Sequence, residues 1–307
     1  MFSYRKKRKA RRTRKRRQSA NPPFYIGGET DKCLFVSLPV LSGVGNQLFV
    51  YAAAIVAKNK IGLPMCILPT HNPHSQVDYR KELFIQGKPV EKEEMNSRRS
   101  AATRLLEKVV GPHNTWSNTN IVGNNSKNHI IGDRYLQVYK PLVSSFDIIR
   151  KDCKKIFEEK YPGYKDSIPS TSAFIHIRKG DYDQYASLGE EYYKKGLTIL
   201  NDKKEITDIY IISNDMHWSK TREFDKISSK IKFAESDDLQ KDELKTLYLM
   251  SLCMAGACIS ASTFSTWGAI LGADQNPDST ILYPSIWFIN GSSDALQFPS
   301  RWQKIPV

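Results

Sequence analysis

Short apolar runs, spaced by turn residues, recur along the chain and set its class before any motif is considered. The runs "CLFVSL" (33–38) and "PMCILP" (64–69) read as buried strands. Between them, "SGVGNQLF" opens an apolar-rich helix that extends through about Lys60. Residues 70–130 are polar, with a helical "AATRLLEKVV" and an Asn/Ser-rich loop around 114–128. "HIIGDRYLQVYKPL" and the amphipathic "SSFDIIRKDCKKIFEEKY" close this half, and Tyr161 through Pro169 is the best linker.

Beyond that linker the alternation of strand and helix is regular. "AFIHIR" precedes the helix "EEYYKKGLTIL", and "DIYIIS" precedes a helix near Trp218 to Phe224. "IKFAE" precedes a long helix over 240–255, and "ACISA" a helix starting near Ser265. Apolar strands alternating with helices predict parallel sheet covered on both faces. The expected fold class is therefore α/β, with two Rossmann-like domains facing a cleft. A basic arm over 1–30 is followed by an N-terminal domain over 31–168 and a C-terminal one over 169–307.

Charge changes this picture at one end only. Residues 5–17, "RKKRKARRTRKRR", hold eleven Lys or Arg and no acid, so most of the net charge of +14 belongs to an arm that cannot bury apolar surface. The arm suits non-specific polyanion contact, a nuclear-import address or a solubilising leader, and no aromatic residue interleaves it to stack on bases. No apolar segment follows it as in a secretory signal. The longest charge-free run, 246–273, is broken by Ser, Thr and Gly and reads as core rather than as a membrane span. Five cysteines without CxxC spacing read as packed thiols of a reducing compartment, and the sequons at Asn124 and Asn290 as chance matches. A soluble, cytoplasmic protein is expected.

Candidate chemistry lies where strands end. In "FIHIRKGDY" (174–182), His176 and Arg178 share one strand face, and Asp181 lies just past Gly180. Arg178 offers a donor fork suited to phosphate oxygens, and Asp181 can orient either neighbour. Alternatively, Arg178 and Asp181 form an edge ion pair and His176 is a satisfied core histidine. "YIISND" (210–215) ends in Asn214 and Asp215, which are helix caps or, for Asp215, an acceptor for the paired donors of guanine. "ASTFSTWGA" (261–269) gathers Ser262, Thr263, Ser265 and Thr266 at a helix start, which suits a diphosphate or an over-supplied cap. "GVGNQLF" (43–49) brings backbone N–H groups near a ligand or only makes a tight turn capped by Asn46. It matches neither dinucleotide nor P-loop patterns. No HExxH, zinc spacing, DxD or GxSxG occurs, so metal and hydrolase chemistry are not predicted.

Taken in order, these motifs resemble the α-1,2-fucosyltransferase family (glycosyltransferase family eleven). Gly43 to Phe49 is similar to its GxGNQxF turn, and His176 to Tyr182 to its HxRxGDY motif. Tyr192, Tyr193 and Lys194, then Ser213 to Trp218, then Ser262 to Ala269, follow in register, and "GDRYLQVYKPL" resembles a further segment. The resemblance implies a GT-B-like fold and an inverting, metal-independent transfer of L-fucose from GDP-fucose to a galactose-containing glycan, with no cofactor. It implies that Arg178 holds the β-phosphate, that His176 holds the donor sugar or diphosphate, and that Ser265 and Thr266 line the phosphate end. Asp215 then meets guanine, and Gly45 and Asn46 reach the donor from the first domain. Asp181, Asp183, Glu190 and Glu191 are candidate bases. Ala261 and Thr266 depart from the family's usual Asn and Trp. The alternatives are a related transferase with another linkage or donor, or a non-catalytic scaffold whose arm binds nucleic acid.

Overall fold

The computed structural model describes residues 34–36, 38, 43–62, 64–67, 78–89, 136–180, 188–236, 239, 241–288 and 291–307. The basic arm, most of 70–130 with its expected helix and Asn/Ser-rich loop, Cys33, the sequon asparagines Asn124 and Asn290, Asp181 and Asp183 lie outside these residues.

The first described segment builds a small parallel sheet. Strands β1 (Leu34–Val36), β2 (Met65–Ile67) and β3 (Gly87–Pro89) pair in that order. Helix α1 (Val44–Ile61) joins β1 to β2 and ends at Gly62, whose φ of +74° is left-handed and whose N–H bonds to the Lys58 carbonyl. A short α2 (Tyr79–Glu82) precedes β3. Helix α1 is apolar nearly all round, and residues 47–57 are buried on every side. Such a helix must be covered on all faces. It packs on β1 and β2 and also against α3 (Val143–Lys160) and α7 (Thr263–Leu271).

Six parallel strands form the larger sheet, in the order β11 (Gln303–Ile305), β8 (Thr280–Pro284), β7 (Gly256–Cys258), β4 (Ala173–Ile177), β5 (Ile209–Ser213) and β6 (Ile231–Phe233). Every residue of β4, β5 and β7 is buried, as central parallel strands require. Helix α4 (Glu190–Asn201) covers β4, β7, β8 and β11. Helices α5 (Met216–Thr221) and α6 (Glu243–Leu252) complete the alternation, and β9 (Ile286–Phe288) pairs antiparallel with β10 (Gly291–Ser292). The parallel α/β reading of the sequence is the architecture found. Residues Cys33–Val307 form one compact unit.

Two boundaries differ from the pattern-based expectation. Strand β7 stops at Cys258, and α7 begins at Thr263 rather than near Ser265. Helix α6 spans 243–252, capped by Asp242, whose carboxylate accepts from the Leu244 and Lys245 N–H groups at 3.0 and 3.1 Å. Cys153, Cys253 and Cys258 are buried thiols as expected, but Cys66 is disulfide-bonded. The cysteines therefore give no uniform argument for a reducing compartment. No helix among the described residues is long and apolar enough to cross a membrane.

Trp267 is the packing centre. Fully buried on α7, it meets Phe49 of α1 edge-on at 5.3 Å between ring centroids and Phe146 of α3 at 5.6 Å. This cluster fixes the start of α7 against the start of α1, which is where the candidate residues meet.

Candidate functional site

Strand β4 carries the histidine into the interior. His176 is 5% exposed, its Nδ1 lies 2.8 Å from Ser260 Oγ, and its ring meets Phe264 edge-on at 5.7 Å. Burial, and secondarily the Arg178 charge, depress its pKa to about 3, so the ring is neutral at physiological pH. A neutral imidazole supplies one donor and one acceptor and no charge. Positive charge at this strand end therefore comes from Arg178, half-buried just past Ile177, and from Lys179. Gly180 follows with φ +79°, the left-handed conformation that turns the chain away from the strand.

A second strand end holds this loop. Asn214, immediately after β5, accepts the Lys179 N–H on Oδ1 and donates from Nδ2 to the Lys179 carbonyl, both at 2.9 Å. Asp215 caps α5: its Oδ1 accepts from the Trp218 N–H at 2.8 Å, and its own N–H donates to Ser213 Oγ at 3.0 Å. The cap reading is thus realised for Asp215. Trp218 lies between two cations, Lys179 Nζ at 5.0 Å and Arg222 at 4.9 Å from its ring centroid.

The third strand end corrects one expectation in detail. Ser265 and Thr266 do not open the helix but sit inside its first turns, fully buried. Each hydroxyl donates back to the Ser262 carbonyl at 3.0 Å. A Ser or Thr inside a helix satisfies itself this way, because the carbonyl three or four residues back is in reach. Ser262 is the N-cap residue without a side-chain cap bond, and Thr263 donates from Oγ1 to Asn46 Oδ1 at 2.8 Å. Ser260, which the strand pattern did not single out, joins His176 to Ser265, with its Oγ 3.3 Å from the Ser265 hydroxyl.

The start of α1 closes the group. A Cβ built on Gly45 would stand 2.5 Å from the Phe264 nitrogen and 2.6 Å from the Thr263 carbonyl carbon. Glycine is required there because α1 and α7 touch backbone to backbone. Asn46 Oδ1 accepts from Gln137 Nε2 at 2.9 Å as well as from Thr263. Neither the Gln137 contact nor the Asn214 clamp has a local sequence signal, since the partners lie 91 and 35 residues apart.

The structure thus brings His176, Ser260, Thr263, Gly45 and Asn46 together, with Arg178 on the adjoining loop. Asp181 lies outside the described residues. Glu190 is held by Lys194 at 2.5 Å and Arg222 at 3.3 Å, and the Lys194 hydrogen bond keeps its carboxyl below the usual range. No group of three or more His, Cys, Asp or Glu that could hold a metal ion occurs among the described residues.

Parallel strands that deliver polar side chains to one end, against the start of a buried helix, define an α/β protein whose candidate site is at the strand carboxyl ends, where open α/β sheets generally bind ligands. Residues 119–286, more than half of the chain, match the model of glycosyl transferase family 11, and the chain belongs to that family. It is 26% identical over 133 residues to the O-antigen biosynthesis glycosyltransferase WbnK of Escherichia coli. That match covers 41% of this chain and 42% of WbnK, so the chain spans less than half the length of this curated relative. Among solved structures, the fucosyltransferase NodZ from Bradyrhizobium is 10% identical, with 79% of this chain and 94% of that one covered and a TM-score of 0.44. A mutant of Arabidopsis thaliana FUT1 in complex with GDP is 12% identical, with 84% and 71% covered and a TM-score of 0.46. Likenesses this distant decide neither fold nor function.

Proposed function

We propose that the chain is an inverting glycosyltransferase that moves L-fucose from GDP-β-L-fucose to a hydroxyl of a galactose-containing glycan, forming an α-1,2 linkage. In this reading the fold is GT-B-like, with residues 31–168 on the acceptor side and 169–307 on the donor side. One observation carries it: the His176–Ser260 bond ties the strand end bearing Arg178 to the loop that leads into α7, and Asn46 of α1 meets Thr263 at the start of that helix.

As the bond from fucose to oxygen breaks, negative charge grows on the departing diphosphate. Arg178 stabilises that charge as a fixed guanidinium, needing no proton transfer and no metal. The start of α7, whose N-cap residue Ser262 makes no side-chain cap bond, adds the partial positive charge of a helix N-terminus. His176 stays neutral and acts as a fixed hydrogen-bonding group toward the donor. Asp215 keeps its second carboxylate oxygen for guanine while the first caps α5. The acceptor hydroxyl attacks from the face opposite GDP, and one of the candidate carboxylates, Asp181, Asp183, Glu190 or Glu191, takes its proton.

The test is acceptor-dependent release of GDP from GDP-fucose, measured with EDTA present for the wild type and Arg178→Ala. The expected loss in kcat is about 10²-fold or more, in line with removing one charge-stabilising donor from a transition state. Undiminished turnover in Arg178→Ala, or activity abolished by EDTA, overturns the reading.

A further inference from the structure

The side-chain amide of Asn46 is held by two residues far from it in sequence. Its Oδ1 accepts from Gln137 Nε2 at 2.9 Å and from Thr263 Oγ1 at 2.8 Å. A carbonyl oxygen has two lone pairs, and both are used here. Nδ2, on the other side of the amide, makes no hydrogen bond with a described residue, and Asn46 is partly exposed. The opposite orientation would direct the two Nδ2 protons at Gln137 and Thr263 and present the oxygen outward. Electrostatics favour the orientation found. Thr263 is the first residue of α7, and the positive end of that helix's dipole attracts the negative end of the amide dipole. Gly45, one residue earlier, presses that oxygen's helix against the same turn.

We infer that Gln137 and Thr263 are positioning residues that lock Asn46 as a pure hydrogen-bond donor, offering its Nδ2 protons to an oxygen of the sugar nucleotide. This rests on the donor proposed above. With its oxygen consumed, Asn46 cannot accept a proton from the attacking hydroxyl. Its part is to hold an electron-rich oxygen of the donor diphosphate or sugar. Gln137 matters only through Asn46, whereas Thr263 also begins α7.

Two measurements test this on the full chain. The first needs no ligand: hydrogen exchange of side-chain amides in ¹H–¹⁵N spectra, with Asn46 and Gln137 assigned from the Asn46→Asp and Gln137→Glu variants. One Gln137 proton should be protected and both Asn46 protons should exchange freely. Protection of an Asn46 proton instead overturns the inference.

The second is a double-mutant cycle of Asn46→Ala and Gln137→Ala, read as kcat and KM for GDP-fucose and as calorimetric affinity for GDP. Gln137→Ala should weaken the donor terms about tenfold in the wild-type background and change nothing further once Asn46 is alanine. Additive losses mean a merely structural glutamine and overturn the inference. A wild type that binds neither GDP nor GDP-fucose refutes the proposed donor instead, and the amide exchange then still decides the orientation of Asn46.

Discussion

The amide of Asn214 clasps the Lys179 peptide on both sides, accepting its N–H and donating to its carbonyl, each at 2.9 Å. This pairing continues the β4–β5 ladder past its last backbone partners, Ile177 and Ser213. It fixes the loop that carries Arg178, and so bears on the placement of the group proposed above to meet the diphosphate.

Asn214→Ala should therefore lower kcat by about tenfold to a hundredfold, since a shift near 1 Å at a charge-stabilising group costs that much. Both bonds are solvent-exposed, so stability should change little. Steady-state kinetics beside urea unfolding checks this. Equal losses of stability and activity would assign Asn214 to the fold alone.

Gly45→Ala is expected to destabilise the chain by about 1–3 kcal/mol, because the new methyl meets backbone atoms of Thr263 and Phe264 that cannot rotate away. Gly43→Ala, where a Cβ would meet nothing within 4 Å, is the control and should stay near wild type. Denaturant midpoints of the two variants give the comparison.

Asp274 is a buried carboxylate that joins four elements. It accepts from Tyr139 OH at 2.7 Å, from Arg150 Nη2 at 2.7 Å, from Trp302 Nε1 at 2.8 Å and from Arg301 Nη2. Burial of the Tyr139 hydroxyl, and secondarily the Asp274 charge beside it, drives it well above its ordinary pKa. Asp274→Ala takes the shared carboxylate from Arg150 and Arg301, which keep the Asp147 carboxylate and the residue-274 backbone carbonyl. It leaves the buried Tyr139 and Trp302 donors without their acceptor, so it should cost about 2–3 kcal/mol. Asp147→Ala removes an exposed partner of the same Arg150 and should cost under about 1 kcal/mol. Equal effects from the two would show that Asp274 is not the organising charge.

His176 should make the protein acid-sensitive. Its folded pKa of about 3 lies below the ordinary value of 6.5, so between those limits the unfolded chain binds a proton that the folded chain refuses. Stability is then full above pH 6.5 and is lost as the pH falls. From pH 7.5 to 5.5 this one group removes about 1.4 kcal/mol. His176→Gln should lack that increment, although it starts less stable. Urea titrations of both proteins at the two pH values read the difference, and parallel losses would place the sensitivity elsewhere.

Much of this was legible in the residues. Strand runs such as "AFIHI" and "DIYIIS", only five or six residues long and bounded by turn residues, are buried on both faces as central parallel strands are. That pattern dictated the parallel sheet and placed His176, Arg178, Asn214 and Asp215 at strand ends, where the motifs also point to the family. Tertiary structure alone decided who pairs with whom. Asn46, for which a helix cap is one reading, is held by Gln137 and Thr263, and His176 meets Ser260, across 91, 217 and 84 residues of chain. Burial is a property of each residue's own chemistry, so local sequence carries it. Hydrogen-bond partnership depends on the distance between segments tens to hundreds of residues apart, which is fixed only when helices such as α1 and α7 meet around Trp267.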